Sequence, residues 1–225
     1  MHKQDLSIVA LSDTHGLHAS MEHGIPDGDV LIHAGDFCRR GLMQEVHDFA
    51  EWMEDLPHPY KLVTAGNHDR PVEENEHVAR KVFEAHGIQL LIGETIDIDG
   101  VSFFGSPYTP TFLNWHYMRD RGEQIRAEWE AIPSNVDVVI THGPAYGHGD
   151  LARPWKGAPP RHVGCFELLN RLRTVRPKVH VFGHIHEGYG VTISEEVPGT
   201  TFLNASICTE AYQPENSPHQ FLLKS

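Results

Sequence analysis

The sequence predicts a mixed α/β fold in which a mixed sheet, or a sandwich of two sheets, is flanked by helices. Short apolar runs alternate with segments of helical spacing, which favours parallel strands joined by right-handed crossovers. Two other segments carry hairpin signals and add antiparallel pairs. We expect residues 1–225 to form a single domain, because α/β chains of this length routinely close around one core.

Five apolar runs share one design, in which a strand rich in β-branched residues ends in a small residue and then in polar side chains. Their hydrophobicity is continuous rather than alternating, which indicates strands that are buried on both faces. The runs read SIVALSDTH, VLIHAGD, KLVTAGNHD, VVITHG and VHVFGHIH.

Four segments between these strands have the length and apolar spacing of helices. They read QEVHDFAEWMEDL, VEENEHVARKVFEAHG, EQIRAEWEAI and CFELLNRLRTV. A hairpin is predicted where Asp99 and Gly100 separate two alternating runs, and a second in GVTISEEVPGTTFLNAS. The longest irregular segment, 142–164, is rich in Gly and Pro and too long for a simple connection.

The composition restricts the class of partner. Hydrophobic residues make up 40% of the chain and charged residues 22%, which is typical of a globular protein. With 31 acidic and 18 basic residues the net charge is −13, so we expect no stable nucleic-acid partner. The negative net charge does not exclude small phosphate esters as substrates, because bound metal ions dominate the electrostatic field inside a site. The oligomeric state is left open.

The cysteines and the hydropathy pattern predict a cytoplasmic protein. The three cysteines, Cys38, Cys165 and Cys208, are odd in number and scattered, and the N-terminal apolar run is too short for a signal peptide. No stretch approaches the roughly 18–20 apolar residues of a membrane-spanning helix. We therefore expect no association with a membrane.

Polar side chains follow all five buried strands, and the carboxyl ends of such strands form the usual binding crevice of an α/β sheet. Imidazole and carboxylate ligands together suit manganese, iron or zinc, whereas calcium and magnesium prefer oxygen alone. Two ions about 3.5–4 Å apart need a bridging carboxylate, for which Asp36 is the candidate. The glycines beside the polar residues, Gly35, Gly66, Gly143 and Gly183, let the backbone turn without a Cβ that would crowd the ions. The converging side chains are Asp13, His15, Asp36, Asn67, His68, His142, His184 and His186.

The motifs DTH, GD, GNHD, TH with a following glycine, and GHIH, in this order, resemble those of the calcineurin-like metallophosphoesterases. The resemblance implies a two-sheet sandwich that holds two divalent or mixed-valence metal ions. It assigns Asp13, His15, Asp36 and His186 to the first ion and Asp36, Asn67, His142 and His184 to the second. It also implies in-line attack on phosphorus by a metal-bridging hydroxide, with His68 facing the leaving group.

A finer resemblance lies in GSPYTPTFLNW, HVFGHIHEGYG and TTFLNAS, which are similar to a branch of metallophosphoesterase-domain-containing proteins. Some members of that branch act on cyclic nucleotides and other phosphodiesters. The resemblance implies a phosphodiesterase for small phosphate esters. The alternatives are a phosphomonoesterase or nucleotide pyrophosphate hydrolase with the same site, and a non-catalytic module that binds metal or nucleotide.

One position departs from a related branch. Protein Ser/Thr phosphatases continue the second motif as GDxxDRG, which gives the catalytic histidine an acidic partner. Here GDFCRRG places Arg39 at that position. This weakens the protein-phosphatase interpretation and leaves open how His68 is oriented.

Several polar and aromatic residues have a structural interpretation beside the functional one. Asp69 is expected to begin a helix, where a carboxylate favours the helix dipole, and it is left out of catalysis. His33 is expected to pack behind the ligands rather than to bind metal. Residues in two loops either contact substrate or serve the core and the surface. They are Tyr108, Asn114, Trp115 and His116 in one loop, and His148, Asp150 and Arg153 in the other.

Overall fold

The structure, a computed structural model, describes residues 5–153 and 157–224 and confirms a mixed α/β sandwich. Its first sheet contains, in spatial order, β15 (His219–Leu223), β1 (Leu6–Leu11), β2 (Val30–His33), β3 (Tyr60–Val63) and β4 (Ile88–Leu90). Its second sheet contains β13 (Gly190–Ile193), β14 (Thr201–Asn204), β12 (Val179–Phe182), β9 (Val138–Thr141), β6 (Val101–Ser106) and β5 (Glu94–Ile98).

Smaller elements complete the described chain. Two short strand pairs join β7 (Thr109–Pro110) to β8 (Met118–Arg119) and β10 (Leu151–Ala152) to β11 (Arg161–His162). The helices are α1 (Met43–Glu54), α2 (Arg70–Glu74), α3 (Glu76–Ala85), α4 (Glu123–Glu130) and α5 (Phe166–Val175). Single 3₁₀ turns lie at His18–Ser20 and His186–Gly188.

The five predicted apolar strands are β1, β2, β3, β9 and β12. They run parallel within each sheet, β1 to β2 to β3 in the first and β9 to β12 in the second. Both predicted hairpins are also present, as the antiparallel pairs β5–β6 and β13–β14. The first of these turns at Asp99 and Gly100, whose φ values of 51° and 82° are those of a tight turn between strands.

The segment predicted as one helix over 72–87 forms two. The first begins earlier, at Arg70, with Pro71 in its first turn, where the missing N–H costs no hydrogen bond. Asn75 then leaves the helical region with φ −139°, and its carbonyl oxygen accepts from the backbone N–H groups of Val78 and Ala79 to begin the second helix. Asparagine favours helix ends over helix interiors, which accounts for the break.

Three apolar layers explain why the strands are hydrophobic on both faces. In β1, Ile8 and Ala10 pack between the two sheets, whereas Val9 and Leu11 face α1 and α3. A third layer lies between the second sheet and α4 and α5, around Trp129. Each fully buried aliphatic or aromatic side chain contributes about 1.5–3 kcal/mol. Among the described residues, no helix is long and apolar enough to cross a membrane.

Buried His180 in β12 predicts a loss of stability in acid. Burial lowers the pKa of His180 to about 3, whereas an unfolded histidine titrates near 6.5. Between these values the unfolded chain binds a proton that the folded chain does not, so stability falls as pH falls, by about 1.4 kcal/mol per pH unit for this group. Urea unfolding at pH 7 and pH 5 should show that the free energy of unfolding depends less on pH in His180→Gln than in the wild type. An equal pH dependence in the two proteins would contradict this role of His180.

Candidate metal centre

All seven predicted ligands lie together, at a rim where the carboxyl ends of both sheets meet. The sequence suggested the crevice of an open sheet, but the structure divides the supporting strands, with β1, β2 and β3 in one sheet and β9 and β12 in the other. A parallel bridge between Ser12 and Ser206 joins the segments beyond β1 and β14 at this rim. The fold therefore delivers ligands from both layers of the sandwich.

One group of ligand atoms comes from Asp13, His15 and His186. The Nε2 atoms of the two histidines are 3.2 Å apart, and Asp13 Oδ1 lies 3.5 Å from His186 Nε2 and 3.9 Å from His15 Nε2. Three donor atoms thus converge on one small space. Its chemistry, two nitrogens and a carboxylate oxygen, is that of a transition-metal site.

A second group comes from Asp36, His142 and His184, with Asn67 beside it. Asn67 Oδ1 is 3.0 Å from His142 Nε2, and Asp36 Oδ2 is 3.4 Å from the same nitrogen. Asp36 Oδ2 also lies 3.9 Å from His15 Nε2 in the first group. Asp36 is therefore positioned between the two groups, as a bridging carboxylate must be.

Backbone carbonyls fix the direction of two ligand imidazoles. His142 Nδ1 donates to the carbonyl oxygen of Ala34, and His186 Nδ1 donates to that of Thr209, both at 3.0 Å. A carbonyl can only accept, so the proton sits on Nδ1 and the Nε2 lone pair faces the centre. This arrangement is typical of histidines that bind metals.

The Asp13 carboxylate provides a test of whether a cation fits. Its Oδ2 accepts from the backbone N–H of His184 and from the hydroxyl of Ser206, both at 2.9 Å. Its Oδ1 is buried and has no hydrogen-bond partner among the residues that the structure describes. An unpaired buried carboxylate oxygen is costly, and a metal ion in the space that it faces would remove that cost.

Four of the seven candidate ligands lie in the left-handed region of backbone conformation, which non-glycine residues rarely adopt. Their φ values are 53° for Asp13, 45° for His15, 57° for Asp36 and 69° for His184. Each such residue costs about 1–3 kcal/mol, and this kind of strain concentrates at functional sites. The strand ends are therefore shaped by the site and not by the stability of the sheets.

The glycines beside the ligands divide into two kinds. A Cβ at Gly66 would collide with the Asp36 carboxylate, and one at Gly183 with the Asp13 carboxylate. At these two positions glycine leaves room for a ligand carboxylate. At Gly143 the obstacle is instead the side chain of Thr109, and at Gly35 it is the backbone of Ala65, so these two serve packing.

The electrostatic interactions between carboxylates and histidines in the centre favour the presence of positive charge there. Burial opposes ionisation of Asp36, but neighbouring His142 outweighs it and holds the Asp36 pKa well below its usual value. Burial likewise lowers the pKa of His142, yet the charge of Asp36 raises it to about 9. His186 behaves in the same way beside Asp13, with its pKa also raised to about 9. The two carboxylates therefore demand cations, which bound metal ions would provide.

The structure answers how His68 is oriented without an acidic partner. Its Nδ1 lies 3.5 Å from the backbone carbonyl oxygen of Arg39, so the main chain at that position takes the place of the missing carboxylate. Its ring packs edge-on against His15, with centroids 4.7 Å apart, and against Trp115 at 4.5 Å. Half-buried His68 thus borders the centre, where one of its ring nitrogens also forms a group with ligand atoms of His15 and Asp36.

Asp69 supports the loops of the centre, a role that the sequence interpretation missed. It precedes the first residue of α2, as expected, but its side chain makes no capping bond to that helix. It is fully buried and accepts from the backbone N–H groups of Asp36, Cys38 and Gly66, at 2.7–2.8 Å. Burial and the charge of Asp36 raise the pKa of Asp69 to about 8. Asp69 therefore ties together the two loops that carry Asp36 and Asn67.

We expect Asp69→Asn to weaken metal binding about 10–100-fold, the usual effect of losing a residue that orients ligands. The amide removes one acceptor for three buried N–H groups, and an unpaired buried donor also costs about 1–3 kcal/mol of stability. Metal titration and thermal unfolding measure the two effects. Asp48→Asn, an exposed change on α1, is the control; equal metal affinity in both variants would contradict this role.

His33 lies behind the ligands, as expected. Gly35 N–H donates to its Nδ1 at 3.2 Å, which leaves the proton on Nε2 to be donated to the hydroxyl of Thr14 at 3.0 Å. Burial lowers the pKa of His33 to about 3, so the ring is neutral. It connects the loops after β1 and β2 without facing the centre.

For residues in two loops, the sequence left open whether they contact substrate or support the structure. Tyr108 packs against the core, His116 pairs with Glu73 at 2.9 Å, and Asn114 is exposed. In the longer loop, the buried Asp150 carboxylate accepts from Gly147 and Gly164 N–H groups, so it closes the loop.

Two of the other loop residues also serve the structure. The ring of His148 stacks on that of Phe202 at 3.6 Å, and Arg153 donates to the carbonyl oxygen of Ala158. Of the aromatic candidates, only Trp115 contacts the centre, through His68.

Two further aromatic residues lie at the rim, Phe112 inside the GSPYTPTFLNW motif and Tyr212 outside every motif. The Tyr212 ring lies 4.9 Å from that of His15 and 5.2 Å from that of His186, and the Phe112 ring lies 6.2 Å from that of His184. Both side chains are exposed. Tyr212 follows His186, the last candidate ligand, by 26 positions, so no spacing pattern connects it to the ligands.

The chain is similar to several known proteins. A family model described as calcineurin-like phosphoesterase matches residues 6–188. Human metallophosphoesterase domain-containing protein 1 is 40% identical over 93% of this chain and 68% of its own length. The UPF0046 protein K07C11.7 of Caenorhabditis elegans is 36% identical over 97% of this chain and 75% of its own length.

A solved structure agrees at the level of the fold. The crystal structure of TT1561 of Thermus thermophilus aligns with a TM-score of 0.56 at 15% identity, covering 89% of each chain. The matched residues 6–188 contain every candidate ligand and His68. The chain belongs to the calcineurin-like phosphoesterase family.

Proposed function

We propose that this chain is a phosphodiesterase that hydrolyses small phosphate diesters, including cyclic nucleotides, with two divalent metal ions. The observation that carries the proposal is Asp36, whose Oδ2 lies within 4 Å of imidazole nitrogens from both ligand groups. The mixture of imidazole and carboxylate donors suits manganese, iron or zinc. Membership of a phosphoesterase family supports hydrolysis as the reaction class.

The candidate ligands would be shared between the two ions. Asp13, His15, Asp36 and His186 would hold one ion, and Asp36, Asn67, His142 and His184 would hold the other. When bound, such a pair supplies a nucleophile from water near neutral pH and offsets negative charge on the phosphoryl oxygens.

His68 would act on the leaving group. Its Nδ1 faces the carbonyl oxygen of Arg39, so in the imidazolium form Nε2 is the atom that would give its proton to the departing oxygen, which leaves the neutral ring with its proton on Nδ1. The contacts with His15 and Trp115 hold the ring at the border of the centre during this transfer.

The preference for a diester rests on the apolar rim. Phe112, Trp115 and Tyr212 are exposed, and each ring packs against a ligand histidine or His68. A diester carries organic groups on both sides of phosphorus and one negative charge. A monoester has only one organic group, so it would leave part of this rim unused.

We also propose a cytoplasmic setting and a small-molecule substrate. All three cysteines are free and buried, which supports a compartment that does not require disulfides. The net charge of −13 favours small esters over long polyanions.

The test compares two substrates of the manganese-loaded protein. We expect a higher kcat/KM for bis-p-nitrophenyl phosphate than for p-nitrophenyl phosphate, and no hydrolysis of either after chelation. The reverse order would establish a phosphomonoesterase instead. Failure to hydrolyse either ester with two ions bound would leave the non-catalytic binding module.

A further inference from the structure

We propose that Trp115 is a stacking surface for a planar aromatic group on the substrate, a nucleobase or an aryl ring, and so determines substrate specificity. The inference rests on the proposed function and names the feature that its substrates share. Trp115 borders the centre through its ring contact with His68.

The position of Trp115 places its indole beside the reacting side of the centre. Its ring centroid is 4.5 Å from that of His68, and the planes are inclined by 32°. His68 in turn lies edge-on to His15, with centroids 4.7 Å apart. Despite these contacts, 38% of Trp115 is exposed. A substrate whose leaving oxygen meets His68 would bring its attached group against this indole.

The loop that carries Trp115 is held in place from several sides. Its base is closed by the pairing of β7 with β8 and by a hydrogen bond of 2.6 Å from the Thr111 hydroxyl to the Asp120 carboxylate. Beside Trp115, His116 Nδ1 pairs with the Glu73 carboxylate of α2 at 2.9 Å. The indole is therefore presented by an anchored loop.

The tip of this loop has no role in the core. Leu113 is 76% exposed and has a φ of 53°, a conformation that a branched apolar residue adopts only at a cost. Phe112 beside it is 49% exposed and faces His184. Exposed large apolar side chains beside a polar centre mark a binding surface. Indole rings stack on any nucleobase through its π face.

The experiment separates stacking from positioning of His68. We measure kcat/KM of the metal-loaded protein for 2′,3′-cyclic AMP and for 1-O-methylribose 2′,3′-cyclic phosphate, which lacks the base. Trp115→Ala should lower kcat/KM about tenfold for the nucleotide, since one stacked base contributes about that much to binding. For the base-free ester the decrease in kcat/KM should be less than about twofold. Trp115→Phe should restore most of the loss. Phe166→Ala, an exposed aromatic change on α5, is the control.

A binding measurement decides the inference independently of turnover. By calorimetry, Trp115→Ala should weaken AMP binding about tenfold and leave ribose 5-phosphate binding unchanged. Equal losses on both cyclic esters would mean that Trp115 only positions His68, and no loss on either would remove it from the site; both results overturn the inference. If the wild type hydrolyses neither ester, the proposed function fails, and the calorimetric comparison alone decides whether Trp115 stacks on a base.

Discussion

Asp36→Asn is expected to abolish binding of both metal ions and to lower kcat/KM by more than about a hundredfold. Changing a residue that only orients metal ligands already lowers metal affinity or activity about 10–100-fold. Asp36 itself lies within 4 Å of ligand nitrogens in both groups. The amide preserves the size of the side chain but removes the negative charge that both groups share. Elemental analysis after dialysis and steady-state kinetics measure the two effects.

The control for this change is Asp48→Asn, because Asp48 is an exposed carboxylate on α1. It should keep two ions and full activity. An Asp36→Asn protein that retains one ion at normal affinity would show that Asp36 serves a single site. Retention of both ions would remove Asp36 from the centre altogether.

His68→Ala is expected to lower kcat by about 10²–10⁴-fold while both ions remain bound, because proton transfer to a leaving group contributes about that much. His68 contacts His15, and the two ions assigned above have their ligands without it, although a ring nitrogen of His68 also lies near those of His15 and Asp36. The measurement is kcat together with the metal content of the same preparation. His77→Ala, an exposed change on α3, is the matched control.

The leaving group provides a second readout for His68. A nitrophenolate departs without a proton, whereas an alkoxide needs one. We therefore expect His68→Ala to lower kcat less for bis-p-nitrophenyl phosphate than for an alkyl diester. Equal losses on the two substrates would contradict the role as a proton donor, and loss of metal would make His68 a ligand.

The strands and the ligands were predictable from the sequence because the same residues encode both. Continuous apolar runs such as VVIT must be covered on both faces, so the polar residue that follows each run can only emerge at the rim. This pattern places His142 after β9 and His184 after β12, where the structure has them. The division of the strands between two sheets was not predictable, because nothing in a run of apolar residues states which sheet it joins.

The supporting residues were harder to predict for a physical reason. A carboxylate just before a helix, as at Asp69, has the same sequence signature whether it caps that helix or turns back to bind Asp36 and Cys38 backbone groups. Asp150 and His148 were candidates for substrate contact because they lie in a long loop, yet Asp150 closes that loop and His148 packs against Phe202 of β14. Tyr212 approaches His15 only through folding of the C-terminal segment, which no local pattern records.

Anomalous scattering from crystals of the metal-loaded protein tests the central claim most directly. Data collected at the absorption edge of the bound metal should show two peaks about 3.5–4 Å apart, one on each side of the Asp36 carboxylate. Asp13, His15 and His186 should surround one peak, and Asn67, His142 and His184 the other. A single peak, or two peaks of which one lies away from Asp36, would contradict a centre built around a shared carboxylate.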